Sequence, residues 1–115
     1  MADAIFRHGD PLMVDYTPGA DVATGAVVLI GNTTGLTCGI AHRAIANGTL
    51  GALAAGGGVY DVMTLSNYAN GTNVWWDDSN KKLTTTSTNN ALFGFLVEAV
   101  AAANTVAKAL HQPYA

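Results

Sequence analysis

The side chains that could do chemistry are few and scattered. Three histidines, His8, His42 and His111, lie far apart, and Cys38 is the single cysteine. A zinc site needs three or four such ligands at short paired spacings, and none occurs here. One cysteine allows no internal disulfide. Cys38 sits in the apolar run Leu36-Thr37-Cys38-Gly39-Ile40-Ala41 and reads as a small buried hydrophobe. A reactive thiol needs an activating imidazole or helix terminus. His42 is four residues on, roughly 13 Å along a strand, so the two share a face without touching.

Asp77, Asp78 and Asn80 carry oxygens that suit calcium, but their spacing is not that of a helix-loop-helix calcium loop, and a plain turn is expected. Gly56-Gly57-Gly58 is rich in glycine, yet it precedes a strand, and the chain holds no Gly-Lys dipeptide for a phosphate loop. The nucleophile elbow Gly-x-Ser-x-Gly is absent, and no spacing pairs two carboxylates for acid–base work. The expectation is no catalytic residue, no metal and no cofactor.

Charge points the same way. Five basic residues, Arg7, Arg43, Lys81, Lys82 and Lys108, are spread through a chain of net charge −3. Nucleic-acid binding needs a clustered basic footprint, so no nucleic-acid partner is expected. No apolar stretch approaches the roughly 20 residues that span a bilayer, so no membrane partner is expected either. The start, Met1-Ala2-Asp3-Ala4-Ile5-Phe6-Arg7, lacks the basic and long apolar regions of a secretory signal. The sequons at Asn32, Asn47 and Asn70 then carry little weight, and Asn47-Gly48 and Asn70-Gly71 read as tight turns. Half the residues are apolar and only 11% are charged, against roughly 25% in an ordinary soluble domain. So few charges cover a free surface poorly. Part of the surface is expected to lie against copies of the chain or a larger partner.

The elements that would position these groups are short strands punctuated by glycine. The 115 residues suggest one domain. Residues 1–10 read as a flexible arm ahead of a single β domain over residues 11–115. Leu12-Met13-Val14-Asp15-Tyr16 is a first strand, stopped by Pro18-Gly19. Ala26 to Ile30 is a buried strand, Asn32-Thr33-Thr34-Gly35 a turn, and Leu36 to Ala41 another strand. Ala44 to Leu53 suggests a hairpin or kink about Asn47-Gly48, and residues 54–58 a loop. Val59 to Leu65 is a strand with Tyr60, Val62 and Thr64 on one face. Ser66 to Asn70 has room for one helical turn.

Gly71-Thr72-Asn73-Val74-Trp75-Trp76-Asp77-Asp78 followed by Lys81-Lys82-Leu83-Thr84-Thr85-Thr86 reads as strand, turn, strand. Neighbouring side chains alternate, so one tryptophan faces the core and the other faces solvent or another chain. Alanine content favours a helix over residues 98–110. Against it, Ala91 to Val97 reads as a strand, and Val106, Lys108 and Leu110 as a last strand ending at Pro113, so a break at Ala101 to Asn104 would give two strands and a turn.

Taken together, several blocks resemble a known family. They run from Asp15-Tyr16-Thr17-Pro18 and the block from Val22 to Gly31, through Gly39-Ile40-Ala41, Ile45-Ala46-Asn47-Gly48 and Gly58-Val59-Tyr60. They continue with Gly71 to Asp77, Lys82-Leu83-Thr84-Thr85-Thr86, Asn89 to Gly94 and Thr105-Val106. Over Met13 to Leu110 the chain resembles the small capsid cement, or head decoration, proteins of tailed bacteriophages. The segment from His111 to Ala115 departs from the alternating strand that many relatives show there.

The resemblance implies a non-enzymatic structural protein of the virion, on the outer surface of the capsid. Its partner would be the major capsid protein, and it would sit on the expanded head as a homotrimer. The fold class expected is mainly β, a small single-domain barrel or sandwich with an extended N-terminal arm and little helix. For shell contact the candidates are Ile5, Phe6 and Arg7, on an arm that could add a strand to an exposed edge. For self-association they are Tyr60, Trp75 and Trp76, since large aromatics concentrate in interfaces. Two other readings stand beside this one: another structural head or tail component, and a carbohydrate- or host-binding β module that stacks Trp and Tyr on sugars. An enzyme is the last reading, with no motif behind it.

Overall fold

The computed structural model describes residues 3–30, 37–88 and 90–113. Ten strands appear among them: β1 (Ala4–His8), β2 (Leu12–Tyr16), β3 (Val27–Ile30), β4 (Thr37–Ile40), β5 (Gly51–Gly56), β6 (Val59–Met63), β7 (Asn73–Asp77), β8 (Lys82–Thr84), β9 (Ala91–Leu96) and β10 (Val106–His111). They form a six-stranded sheet, ordered β1-β6-β10-β9-β7-β8, and a four-stranded sheet, ordered β2-β5-β4-β3. The two sheets pack face to face and do not close into a barrel. The described residues contain no helix.

The sheets are joined by a ladder that runs through both. β1 pairs antiparallel with β6, and β2 pairs antiparallel with β5. β1-β2 and β5-β6 are therefore two long segments side by side, each bending from one sheet into the other. At the bend the backbones nearly touch. A Cβ on Gly9 would lie 2.7 Å from the Cα of Gly58. Gly9, Gly57 and Gly58 have φ of 112°, 87° and 86°, a region that L side chains enter at a cost. Gly57 donates its N–H to the carbonyl of His111 (2.7 Å), and His111 donates its own to the carbonyl of Gly58 (3.0 Å). The glycine run thus holds a structural corner, and the Gly57 amide is already committed to the His111 carbonyl.

The main core lies between the sheets. Val27, Cys38, Ile40 and Ala54 from the smaller sheet meet Tyr60, Val62, Trp76, Phe93 and Leu96 from the larger. Leu53 belongs to a second cluster with Ala41 and Ile45. Leu53 and Ala54 are adjacent in β5 and both fully buried, so β5 is covered on both faces.

Several expectations change here. Asn47 and Gly48 do form a turn, with Thr49 donating to the Ala46 carbonyl, but no hairpin flanks it. Ile45 pairs instead with Val22. The segment read as loop at 54–58 is partly strand, since β5 runs to Gly56. Its alanines and glycines lack β propensity, yet their small size lets a strand sit buried between β2 and β4. No helical turn forms at Ser66–Asn70, where Tyr68 bridges to Val100. Residues 4–8, read as part of an arm, are the edge strand β1, with Ala4 buried in the core. The expected turn at Asn32–Gly35 lies outside the described residues. The C-terminal region is two strands, β9 and β10, with Asn104 in the left-handed region between them (φ 59°).

His111, in the last strand, is fully buried beside Cys38. Its Nε2 lies 2.9 Å from the Cys38 carbonyl, which assigns that nitrogen the proton, and 3.6 Å from the Cys38 Sγ. The thiol lies 3.4 Å from the Leu92 carbonyl as donor. The His111 Nδ1 is buried with no partner among the described residues. Burial pushes the Cys38 thiol up to about 12 and the His111 imidazole down to about 4. Both groups are neutral at pH 7. A thiol and an imidazole in contact would suggest a nucleophile, but these are sealed in the core and unionised.

Two predictions test the fold. A Cβ at Gly94 (φ 150°) would collide with the Leu110 carbonyl on the neighbouring strand. Gly94→Ala should cost at least about 3 kcal/mol, read as a fall in urea midpoint; an unchanged midpoint would contradict the β9–β10 packing. The second concerns pH. The unfolded chain protonates His111 near 6.5 and the folded chain only near 4. The unfolded state therefore binds more protons in that window, and stability should fall as pH falls from about 6.5 to 4, by about 3 kcal/mol in all. Urea melts across that range should show the slope, and His111→Leu should flatten it.

Candidate docking surface

Among the described residues β1 pairs as a strand only with β6 and β2 only with β5, so the long edge β1-β2 is open beyond Ala4, whose N–H donates to the Gly25 carbonyl. An open edge presents unpaired backbone N–H and C=O groups and invites another strand. Proteins usually blunt such edges with charge, above all lysine. Here Arg7, His8 and Asp15 sit on the edge, but most of its exposed side chains are apolar. Ile5, Phe6, Leu12, Met13 and Val14 are all exposed large hydrophobics, and Leu12 reaches 66% exposure. Three of the five are consecutive, so β2 shows apolar side chains on both of its faces.

Phe6 is held from below. Its ring centroid is 4.9 Å from that of His42 and 5.5 Å from that of Tyr60. The His42 Nε2 and the Tyr60 hydroxyl are hydrogen-bonded at 2.6 Å. Burial lowers the His42 pKa and raises that of Tyr60, so this is a bond between neutral groups at pH 7. Arg7 lies beside Asp61 on the facing strand, Nε to Oδ2 3.6 Å. The guanidinium side chain is half exposed, and such a pair contributes at most about 1 kcal/mol.

Two apolar grooves flank this edge. The smaller, about 270 Å3, runs beneath β1 between Ile5, Phe6, Ile40 and Tyr60. The larger, about 530 Å3, lies between Met13 of β2, the start of β5 and the loop over residues 42–50. His42 lines both.

The residues singled out in the sequence fall into two groups. Ile5, Phe6 and Arg7 are together on β1 and exposed. Tyr60 and Trp76 are core residues, each fully buried, with Tyr60 at the floor of the smaller groove. Tyr60 faces inward because β6 alternates, and Trp76 because its pair partners Leu83 and Ala91 are themselves buried. The Trp76 indole N–H donates to Asp78 Oδ1 (3.1 Å). Trp75, on the opposite face, keeps partial exposure. Tyr60 pairs directly with Phe6, whereas Trp75 and Trp76 lie toward the other end of the larger sheet, one strand in from the β8 edge.

The acidic turn is closed on itself. The Asp77 carboxylate accepts from the Asn80 side-chain amide (2.8 Å) and from the backbone N–H groups of Ser79 and Asn80, which lowers its pKa. Lys81 Nζ holds Asp78 at 2.8 Å. Among the described residues no cluster of His, Cys, Asp or Glu could hold a metal ion.

Sequence reasoning missed β2 as a surface and missed the Cys38–His111 contact. The signal for the first was present, since Leu12-Met13-Val14 has no polar residue to give it a solvent face. The second joins residues 73 apart and had no local signal.

The model of one protein family, phage cement protein, matches residues 6–111, nearly the whole chain. No curated protein and no solved structure gives a significant match. The matched stretch takes in nine of the ten strands complete and all but the first two residues of β1, from Phe6 on the open edge to His111 in the core. This chain belongs to the phage cement proteins, structural components of the virion that stabilise the capsid.

Proposed function

We propose that the chain binds the outer surface of the expanded head of a tailed phage, against its major capsid protein, as a homotrimer that catalyses no reaction. The observation that carries this reading is the β1-β2 edge, with five large apolar side chains exposed along it. Ile5, Phe6 and Arg7 are the proposed shell contacts. Burying side chains of this size contributes about 1 kcal/mol each when half of the surface is already covered. A single edge therefore binds weakly, and many copies on one lattice add through multivalency. A protein that binds only the expanded lattice stabilises it by mass action.

Of the three aromatics considered for self-association, Trp75 is the one with surface to offer. It lies across the six-stranded sheet from β1, about 20 Å away at the usual strand spacing. Contact there would leave the β1-β2 edge free for the shell. For a sugar-binding module Trp76, fully buried, offers no stacking face.

Co-sedimentation with expanded heads tests the main claim. Saturable binding near one copy per shell subunit, with heads that survive heating better, is the expected result. No binding of the wild-type chain to the heads of its own phage would overturn it. Replacing Ile5 and Phe6 together by Asp should weaken binding at least about tenfold in a chain that stays folded, with a lowered melting temperature from the lost Phe6 packing on His42 and Tyr60. For self-association, Trp75→Ala should shift the species seen in sedimentation velocity toward monomer while the fold persists. Trp76→Ala, a core deletion, should instead cost about 3–5 kcal/mol of stability. An unchanged oligomer in Trp75→Ala would remove that face from the account.

A further inference from the structure

The larger groove has a use that the β1 contacts leave open. Three features meet there. Among the described residues the outer edge of β2 is unpaired along Leu12 to Tyr16. The groove beside it, about 530 Å3, is walled by Met13, Ile45 and Leu50, and Leu50 is 66% exposed. Arg43 lines the same groove and is exposed, and none of the ion pairs among the described residues involves it. A bare strand edge supplies main-chain hydrogen bonds to an added strand, and a pocket next to it selects an alternate side chain. A free guanidinium beside that pocket selects a carboxylate, which it grips with two parallel N–H donors.

We propose that this groove is a second docking site, distinct from the β1 contacts, for an extended segment of a neighbouring shell chain. The segment adds as a strand to β2, seats one aliphatic or aromatic side chain among Met13, Ile45 and Leu50, and places a carboxylate on Arg43. Asp15 follows Met13 on the same face of β2 and has no ion-pair partner among the described residues. It sets the opposite condition at its own end, where the segment carries a basic or neutral side chain. Charge complementarity therefore selects both the segment and its direction. The inference rests on the cement reading and deepens it. A chain that grips one segment through β1 and another through β2 is a staple, and it resists separation of the two pieces it holds.

The test uses the full chain and two capped ten-residue probe peptides. Both alternate valine or leucine with threonine; one carries a central glutamate and the other a lysine in its place. Titration followed by amide chemical shifts should saturate for the glutamate peptide, with the changes confined to β2, the start of β5 and the 42–50 loop. The lysine peptide should bind at least about tenfold more weakly. Arg43→Glu should reverse that preference without altering the melting temperature. On heads, Leu50→Asp should bind with reduced affinity through β1 alone and should lose the protection against heating. Failure of the wild-type chain to bind heads would sink the cement reading itself. Wild-type binding together with full protection by Leu50→Asp and Arg43→Glu would overturn the second site alone. So would indifference to the charge of the peptide, or a change of oligomeric state in Arg43→Glu, which would make the groove a contact between copies of this chain.

Discussion

The close crossing of Gly9 with Gly57 and Gly58 is the constraint on which the rest depends. Two long segments, β1-β2 and β5-β6, bend there from one sheet into the other. Any side chain at the crossing would force their backbones apart. His111 locks the same corner through two backbone hydrogen bonds, and its imidazole reaches the opposite sheet at Cys38. The last strand thus ties the corner to the core. The buried imidazole that does so makes the tie sensitive to acid, since its protonated form has no place in that site.

The same corner creates the open edge. Because β1 and β2 are consecutive and lie at the border of different sheets, one stretch of chain leaves both sheets open on the same side. Composition then makes sense. With few charges in the chain, this edge is coated by Ile5, Phe6, Leu12, Met13 and Val14. An edge of that kind is a liability for a free protein and an asset for one that is meant to be covered. The His42–Tyr60 pair beneath Phe6 is neutral and rigid, so the aromatic anchor is held in position ahead of any contact.

Much of the fold was legible in the sequence. Leu12–Tyr16 carries β-branched or aromatic residues between turn formers, and it forms the strand expected. The start of β6 and the shared face of Tyr60, Val62 and Thr64 followed from alternation, although not which face would be buried. The two-strand reading of the C-terminus held against helix propensity, because Asn104 takes a left-handed turn where a helix would need to continue. What stayed hidden was non-local. β5 is alanine and glycine over half its length, and only burial between two neighbours makes it a strand. β1 carries polar residues on one face and its pairing depends on β6, more than 50 residues away. Tyr60 and Trp76 were candidates for contact by residue type, and the register of their strands turned them inward. The open apolar edge was half legible: the residue types on β1 suggested an exposed surface, while β2 read as an ordinary strand.

The central claim is that the shell covers the β1-β2 edge. Amide hydrogen exchange of the chain, free and bound to expanded heads, addresses it most directly, because unpaired edge amides exchange fast until a partner strand takes them up. The account predicts strong slowing over Ile5–His8 and Leu12–Tyr16 on head binding, with little change at β7 and β8 beyond any contact between copies. Slowing confined to β7, β8 and their connecting turn, with the β1-β2 edge still exchanging as in the free chain, would contradict it.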